Sequence, residues 1–367
     1  MKIDRIELHH LRLKLVDAFQ TSRAKSIYRE TVLIKLHSPD GIGWGESPAA
    51  AAPFYWSENV KMVLYVIQEF LAPILLKAEI NQPEEIKTIF NRIRGHNCAK
   101  TGIEAAVWNI YSEKKHIPLA KVYGGSKTTI PVGVSIGIQE NINQLLTRIQ
   151  TFVDKGYRKI KLKIQPGWDV AIIRQVRKTF PEINLAVDAN GAYTLKDISV
   201  FEKLDQYGLA MIEQPLDYRD LYQHSILQKH LKTPICLDES IQNIYDTECA
   251  IALKSCKIIN IKPARVGGFA EAISIARLCD RNHIKVWCGG LLETGIGRLH
   301  NIALASRKEF SLPGDISESK RYYEQDIVSP PIEAIAGKIT VSDNIGLGSN
   351  VVEKEVKKHL VTKLILE

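Results

Sequence analysis

Five ionisable residues recur at a nearly constant interval through the middle of this chain. Lys163 is followed by Asp188, Glu213 and Asp238 at steps of 25 residues, and Lys262 comes 24 residues after Asp238. Each closes a short apolar run, as in LAVD, AMIE and ICLD. The interval fits one strand and the helix that returns from it, so the five groups stand at the same level of successive units. Charges in such places are costly inside a barrel unless they emerge at its carboxyl-terminal mouth, where barrel enzymes keep their active sites.

Three of the five are carboxylates on adjacent units. Alone, each would read as a helix cap or a surface ion pair, but together they describe a hard divalent cation site for Mg²⁺, with Mn²⁺ as a substitute. Zinc does not fit, because no histidine or cysteine pair accompanies the acids at ligand spacing. In Lys161-Leu162-Lys163 a period of two sends both lysines to the barrel interior. Two ammonium groups so close, beside a bound cation, favour a neutral Lys163 able to act as a base. Lys262 comes from across the mouth. A lysine on either side of a cation-held carboxylate is equipment for removing the proton next to that carboxylate. A Schiff-base lysine or a non-catalytic barrel are the competing readings, and the row of acids weighs against both.

Eight short apolar runs position these groups: 130–135, 159–164, 184–188, 209–213, 234–238, 258–261, 284–288 and 310–315, with amphipathic helical patterns between them. Eight strands close a (β/α) barrel. Before them come strands at 2–8, 30–37 and 43–46, then helical patterns at 57–76, 82–93 and 102–114, an α+β arrangement. From about Ser319 the pattern leaves the barrel through hairpin-like turns to a terminal helix that packs back on the first domain. The expected division is 1–125 for the first part of a cap, 126–318 for the barrel and 319–367 for a segment returning to the cap.

Composition argues against a disordered, collagenous or coiled-coil chain. The 367 residues are 45% hydrophobic and 25% charged, average for a globular protein. With 49 Lys+Arg against 41 Asp+Glu the net charge is +8. No dense basic run, zinc-finger spacing or RNA-recognition pattern accompanies it, so an anionic small molecule is the expected partner, not nucleic acid. No apolar run is long enough to span a membrane, and the opening MKIDRIELHH does not build a signal peptide, so a cytoplasmic protein is expected. The six cysteines show no CxxC spacing and read as free, buried thiols. A homo-oligomer is compatible with the sequence.

The order KxK, Asp, Glu, Asp, Lys resembles the enolase superfamily, in its muconate-lactonizing-enzyme subgroup. IEAAVWNIYSEKKHIPLAKVYGG, VDANGAY, MIEQPL, CLDES, NIKPARVGG, GGLLETGIGR and LPGDIS extend the likeness over nearly the whole chain. It implies a (β/α)7β barrel, a modified TIM barrel, under an α+β capping domain built from both ends of the chain. Within the subgroup the chain is similar to o-succinylbenzoate synthases, especially those that also resemble N-succinylamino acid racemases. That likeness implies Asp188, Glu213 and Asp238 as metal ligands. Lys163 becomes the base, with Lys161 its companion, and Lys262 steadies the enediolate or acts from the opposite face. It also implies a small anionic carboxylate as substrate and a place in menaquinone synthesis, with a dedicated N-acylamino acid racemase as the alternative.

Substrate contacts are expected from Ser135, Asn190, the Gly290, Leu291 and Glu293 turn, and Arg265, which would tune Lys262. Backbone N–H groups of that glycine-rich turn would approach a succinyl carboxylate. Asp315 stands alone in LPGDIS where dipeptide epimerases carry two acids, which argues against a free-amine substrate. Phe19 and Tyr55, in turns of the first domain, are expected to form a lid. Asn109 departs from the Asp of many relatives, away from the site.

Overall fold

Residues 1–22 and 24–367 are described by a computed structural model. The opening strands β1 (Arg5–Gln20), β2 (Lys25–Ser38) and β3 (Gly41–Ser47) form an antiparallel sheet in that order. β1 runs well past Leu8, where the sequence reading ends it. Leu11, Leu13 and Leu15 stay buried while Arg12 and Lys14 are exposed, so one face continues to the core at period two.

Helical segments follow at Val60–Val66 and Ala72–Leu75, with a π-helical stretch Ile67–Leu71 between them, and at Glu85–Ile89. The last is much shorter than the expected 82–93, because it buries only Ile86 and has little tertiary packing to extend it. A 19-residue helix, α1 (Asn97–Lys115), lies across the sheet. The Glu58 carboxylate accepts from the Cys98 and Ala99 amides at 2.9 and 3.2 Å, satisfying donors of its first turn. Gly45 lets α1 come close: a Cβ there would stand 2.0 Å from the Gly102 carbonyl oxygen.

Seven parallel strands make the barrel wall: Gly133–Ile136, Lys159–Lys163, Leu185–Asp188, Ile212–Glu213, Ile235–Leu237, Ile258–Ile261 and Lys285–Cys288. They are hydrogen-bonded in chain order, and helices return between them. The eighth segment closes the wall through single bridges, Phe310 to Val286 and Gly314 to Val132, instead of a regular strand. Pro313 has no N–H to give to a ladder, which breaks the run. Ala186, Met211, Cys236, Ile258 and Trp287 fill the interior as an apolar plug. The architecture is a (β/α)7β barrel with an α+β cap.

After the barrel, a helix at Glu353–Lys358 gives way to β4 (Leu360–Leu366), antiparallel to β1 with Ile6 opposite Leu366. The expected terminal helix is thus present but short, and the chain ends in a strand that was not expected. Leu364 and Leu366 alternate onto the cap core, and the open edge of β1 takes up their backbone groups.

Cap and barrel share a core in which Leu11, Leu13, Trp44 and Trp108 pack with barrel residues. His300, on helix Gly295–Ala305, ties the two: Nε2 donates to the Trp44 carbonyl at 3.0 Å and Nδ1 accepts from the Tyr123 hydroxyl at 2.8 Å. Burial lowers its pKa to about 4. Among the described residues all six cysteines are free; Cys249 is exposed and the other five are buried. No helix there is long and apolar enough to cross a membrane.

Candidate active site

The second barrel strand reads KIKLK. Ile160 and Leu162 pack outward, and Lys159, Lys161 and Lys163 form a column on the inner face, all buried. At the mouth, Lys163 Nζ donates to Asp188 Oδ2 at 2.6 Å and to Asn190 Oδ1 at 2.7 Å. One step down, Lys161 Nζ lies 2.6 Å from both Glu213 Oε2 and Asp315 Oδ2 and 3.3 Å from Asp188 Oδ2. Lys159, deeper still, pairs with Asp315 Oδ1 at 3.1 Å and sits 3.6 Å from the centre of the Trp287 ring. Burial works against a charged Lys161, but Asp315, Glu213 and Asp188 outweigh it and hold its pKa well above the usual lysine value.

Opposite this column, Lys262 Nζ donates to Asp238 Oδ2 and to the Tyr55 hydroxyl, each at 2.8 Å. Tyr55 donates to the same Asp238 oxygen at 2.9 Å, and the Arg265 guanidinium pairs with the other one. Burial opposes ionisation of Asp238, yet Lys262 and Arg265 hold its carboxyl far below the usual range; Asp238 in turn raises Lys262. Gly289 makes room for the Lys262 stem, since a Cβ there would lie 2.7 Å from Lys262 Cε.

Asp188 and Glu213 are register partners on neighbouring strands, and Asp238 follows the next strand. All three are almost fully buried. Among the described residues, no group of three carboxylate, imidazole or thiolate side chains is drawn together as a ligand set, because each acid turns to its nearest lysine. Burial, with Asp188 next to it, pushes Glu213 up to about 7. An all-oxygen row that strains against its own charge suits a hard divalent cation, and the residues present fit one.

A cavity of about 390 Å³ opens above the lysines. Lys161, Lys163, Lys262, Ser135, Asn190, Gly290 and Leu291 line its barrel side, and Phe19 and Tyr55 reach it from the cap. The cap turns are anchored to the mouth, with Ser22 Oγ donating to the Ala189 carbonyl at 3.2 Å and Ile138 N to Gln20 O at 3.1 Å. Two expected contacts lie elsewhere. Glu293 folds back to accept from Leu291 N at 2.8 Å and Asn301 Nδ2 at 3.0 Å, away from the cavity. Arg265 stands behind Tyr55 and lines an adjoining cavity.

Lys159 and Glu239 escaped the sequence reading. Lys159 was legible as one more step of the same period-two pattern. Glu239 accepts from Asn190 Nδ2 at 2.8 Å, a contact between two loops that no spacing announces. Asn109, the one departure from the family pattern, accepts from Trp44 N at 2.9 Å.

Comparison with known proteins agrees with this geometry. Residues 6–124 match the mandelate racemase / muconate lactonizing enzyme N-terminal domain, and residues 144–355 match the enolase C-terminal domain-like family. An o-succinylbenzoate synthase of Geobacillus stearothermophilus is 46% identical, covering 98% of this chain and 96% of its own. An N-succinylamino acid racemase of an Amycolatopsis species is 42% identical over 95% of each. A crystal structure of an enolase superfamily member from Listeria innocua superposes with a TM-score of 0.96 at 43% identity, covering 100% of this chain and 99% of that one. With both halves matched and the strand-end acids and lysines in one mouth, the chain belongs to the enolase superfamily.

Proposed function

We propose that this enzyme dehydrates 2-succinyl-6-hydroxy-2,4-cyclohexadiene-1-carboxylate to o-succinylbenzoate, a cytoplasmic step of menaquinone synthesis, with Mg²⁺ as its cation. The observation that carries the reading is the opposition of Lys163 and Lys262 across one cavity, with three buried acids between them. The relatives named o-succinylbenzoate synthase support the choice of reaction.

Asp188, Glu213 and Asp238 would hold the cation, which supplies Lewis-acid charge to a substrate carboxylate as it gains electron density. Lys163 takes the α-proton, and the C–H electron pair moves into the carboxylate to give an enediolate. The Lys262 ammonium, fixed by Asp238 and Tyr55, stabilises that charge from the other side. Collapse expels the hydroxyl; the proton held on Lys163 leaves with it as water, and the ring becomes aromatic. Phe19 and Tyr55 exclude water from the intermediate.

Racemisation of N-succinylamino acids is a second reading, favoured by the placement of Lys262, which can return a proton to the face opposite Lys163. The test is loss of the cyclohexadiene absorbance with Mg²⁺, then after EDTA. Rapid turnover abolished by EDTA is expected. No turnover by folded protein with Mg²⁺, together with deuterium uptake into N-succinyl-phenylalanine in heavy water, would overturn dehydration in favour of racemisation.

A further inference from the structure

A succinyl-bearing substrate carries two carboxylates, and only one can sit at the reacting carbon between the lysines. The second needs its own counter-charge. The backbone of the loop after the seventh strand is largely committed: Leu291 N–H donates to Glu293 at 2.8 Å, Thr294 N–H to Glu46 at 3.1 Å and Gly295 N–H to Asp326 at 2.8 Å. Lys161, Lys163 and Lys262 each hold a buried acid. Lys25, also on the cavity wall, is exposed.

Arg29 is different. It comes from β2 in the cap, lines the same cavity and is 9% exposed. Its Nη2 donates to the Pro48 carbonyl, and its buried Nε has no partner. Among the described residues no carboxylate pairs with it, and the nearby Glu30, also on the cavity wall, is held by His10 at 3.0 Å. Arg29 lines this cavity together with Leu291 and Leu292, the loop that follows the seventh strand. A guanidinium taken out of water without an anion is costly, and a planar carboxylate that docks on its fork offsets that cost.

We propose that Arg29 anchors the distal carboxylate of the substrate's acyl chain and so selects succinyl over uncharged acyl groups. This rests on the function proposed above only in taking a succinyl substrate, and it applies equally to dehydration and racemisation.

Arg29→Gln keeps a donor for the Pro48 carbonyl and removes the charge; Arg29→Lys keeps the charge and loses the fork. Initial rates are compared for N-succinyl- and N-acetyl-phenylalanine. In Arg29→Gln, kcat/KM for the succinyl compound should fall roughly 10- to 100-fold relative to the acetyl compound, through KM, with partial recovery in Arg29→Lys. Equal losses with both compounds would overturn the anchor and leave Arg29 as a brace for the Pro48 loop. Should the wild type turn over neither these compounds nor the cyclohexadiene carboxylate, the proposed reactions fail, and calorimetry with o-succinylbenzoate and benzoate decides the anchor. Tenfold weaker binding of o-succinylbenzoate alone by Arg29→Gln supports it; unchanged affinity refutes it.

Discussion

The floor and the roof of the cavity are built on opposite principles. On the floor, Asp188, Glu213, Asp238, Glu239 and Asp315 face Lys159, Lys161, Lys163, Lys262 and Arg265, an even match of acids and bases fixed at strand ends and buried. The roof comes from a loop and the start of β2 in the cap, where Phe54 is 63% exposed, Ile27 and Tyr28 are open to solvent, and Arg29 has no acid. A preorganised floor spends no reorganisation energy during the reaction. A roof with unsatisfied surface gains contacts only when substrate arrives. Chemistry and selection are thus carried by different parts of the chain.

Substitutions on the two surfaces should separate accordingly. The largest effect is expected for Lys163→Ala, which removes the base and should lower kcat for dehydration and racemisation by about 10³-fold while circular dichroism stays unchanged. More than a few per cent residual activity would end the assignment of Lys163.

Between the two surfaces, His300 makes the cap–barrel joint sensitive to acid. Its folded pKa of about 4 lies below the ordinary 6.5, so its contribution is complete above pH 6.5 and is lost as pH falls toward 4. That loss approaches ~3 kcal/mol, and denaturant midpoints measured from pH 7 to 4 should fall more steeply in the wild type than in His300→Gln. Parallel slopes would assign the acid sensitivity to other groups.

A smaller effect, about tenfold in kcat with KM little changed, is expected for Lys159→Met, because Asp315 loses one of the two lysines that fix it beneath Lys161. Were KM to carry the loss instead, the floor would be contributing to selection. Phe19→Ala should do least, raising KM about fivefold by removing part of an aromatic wall and leaving kcat nearly intact. A large fall in kcat there would mean that the roof takes part in chemistry.

The floor was also the legible part of the sequence. Strand-end charges at a fixed interval reveal a barrel mouth because both the strand period and the strand–helix repeat are local rules. The Glu293 side chain was misplaced because its turn allows the carboxylate to cap its own loop, which spacing does not encode. The strand at 360–366 was not foreseen after the terminal helix, because only the open edge of β1, a feature of the assembled sheet, gives this segment its backbone partners. That no acid pairs with Arg29 among the described residues is a property of the assembled cap and has no sequence signature.

The pairing of β1 with β4 has a consequence for how the protein is made. Ile6 leaves the ribosome before the barrel, but its partner Leu366 follows only after the whole barrel has been synthesised. At 5–20 residues per second that delay is roughly 20–70 s, during which one edge of β1 offers its backbone to any other nascent chain. Crowded, rapid expression should therefore favour aggregation through the cap, and slower translation at low temperature should reduce it.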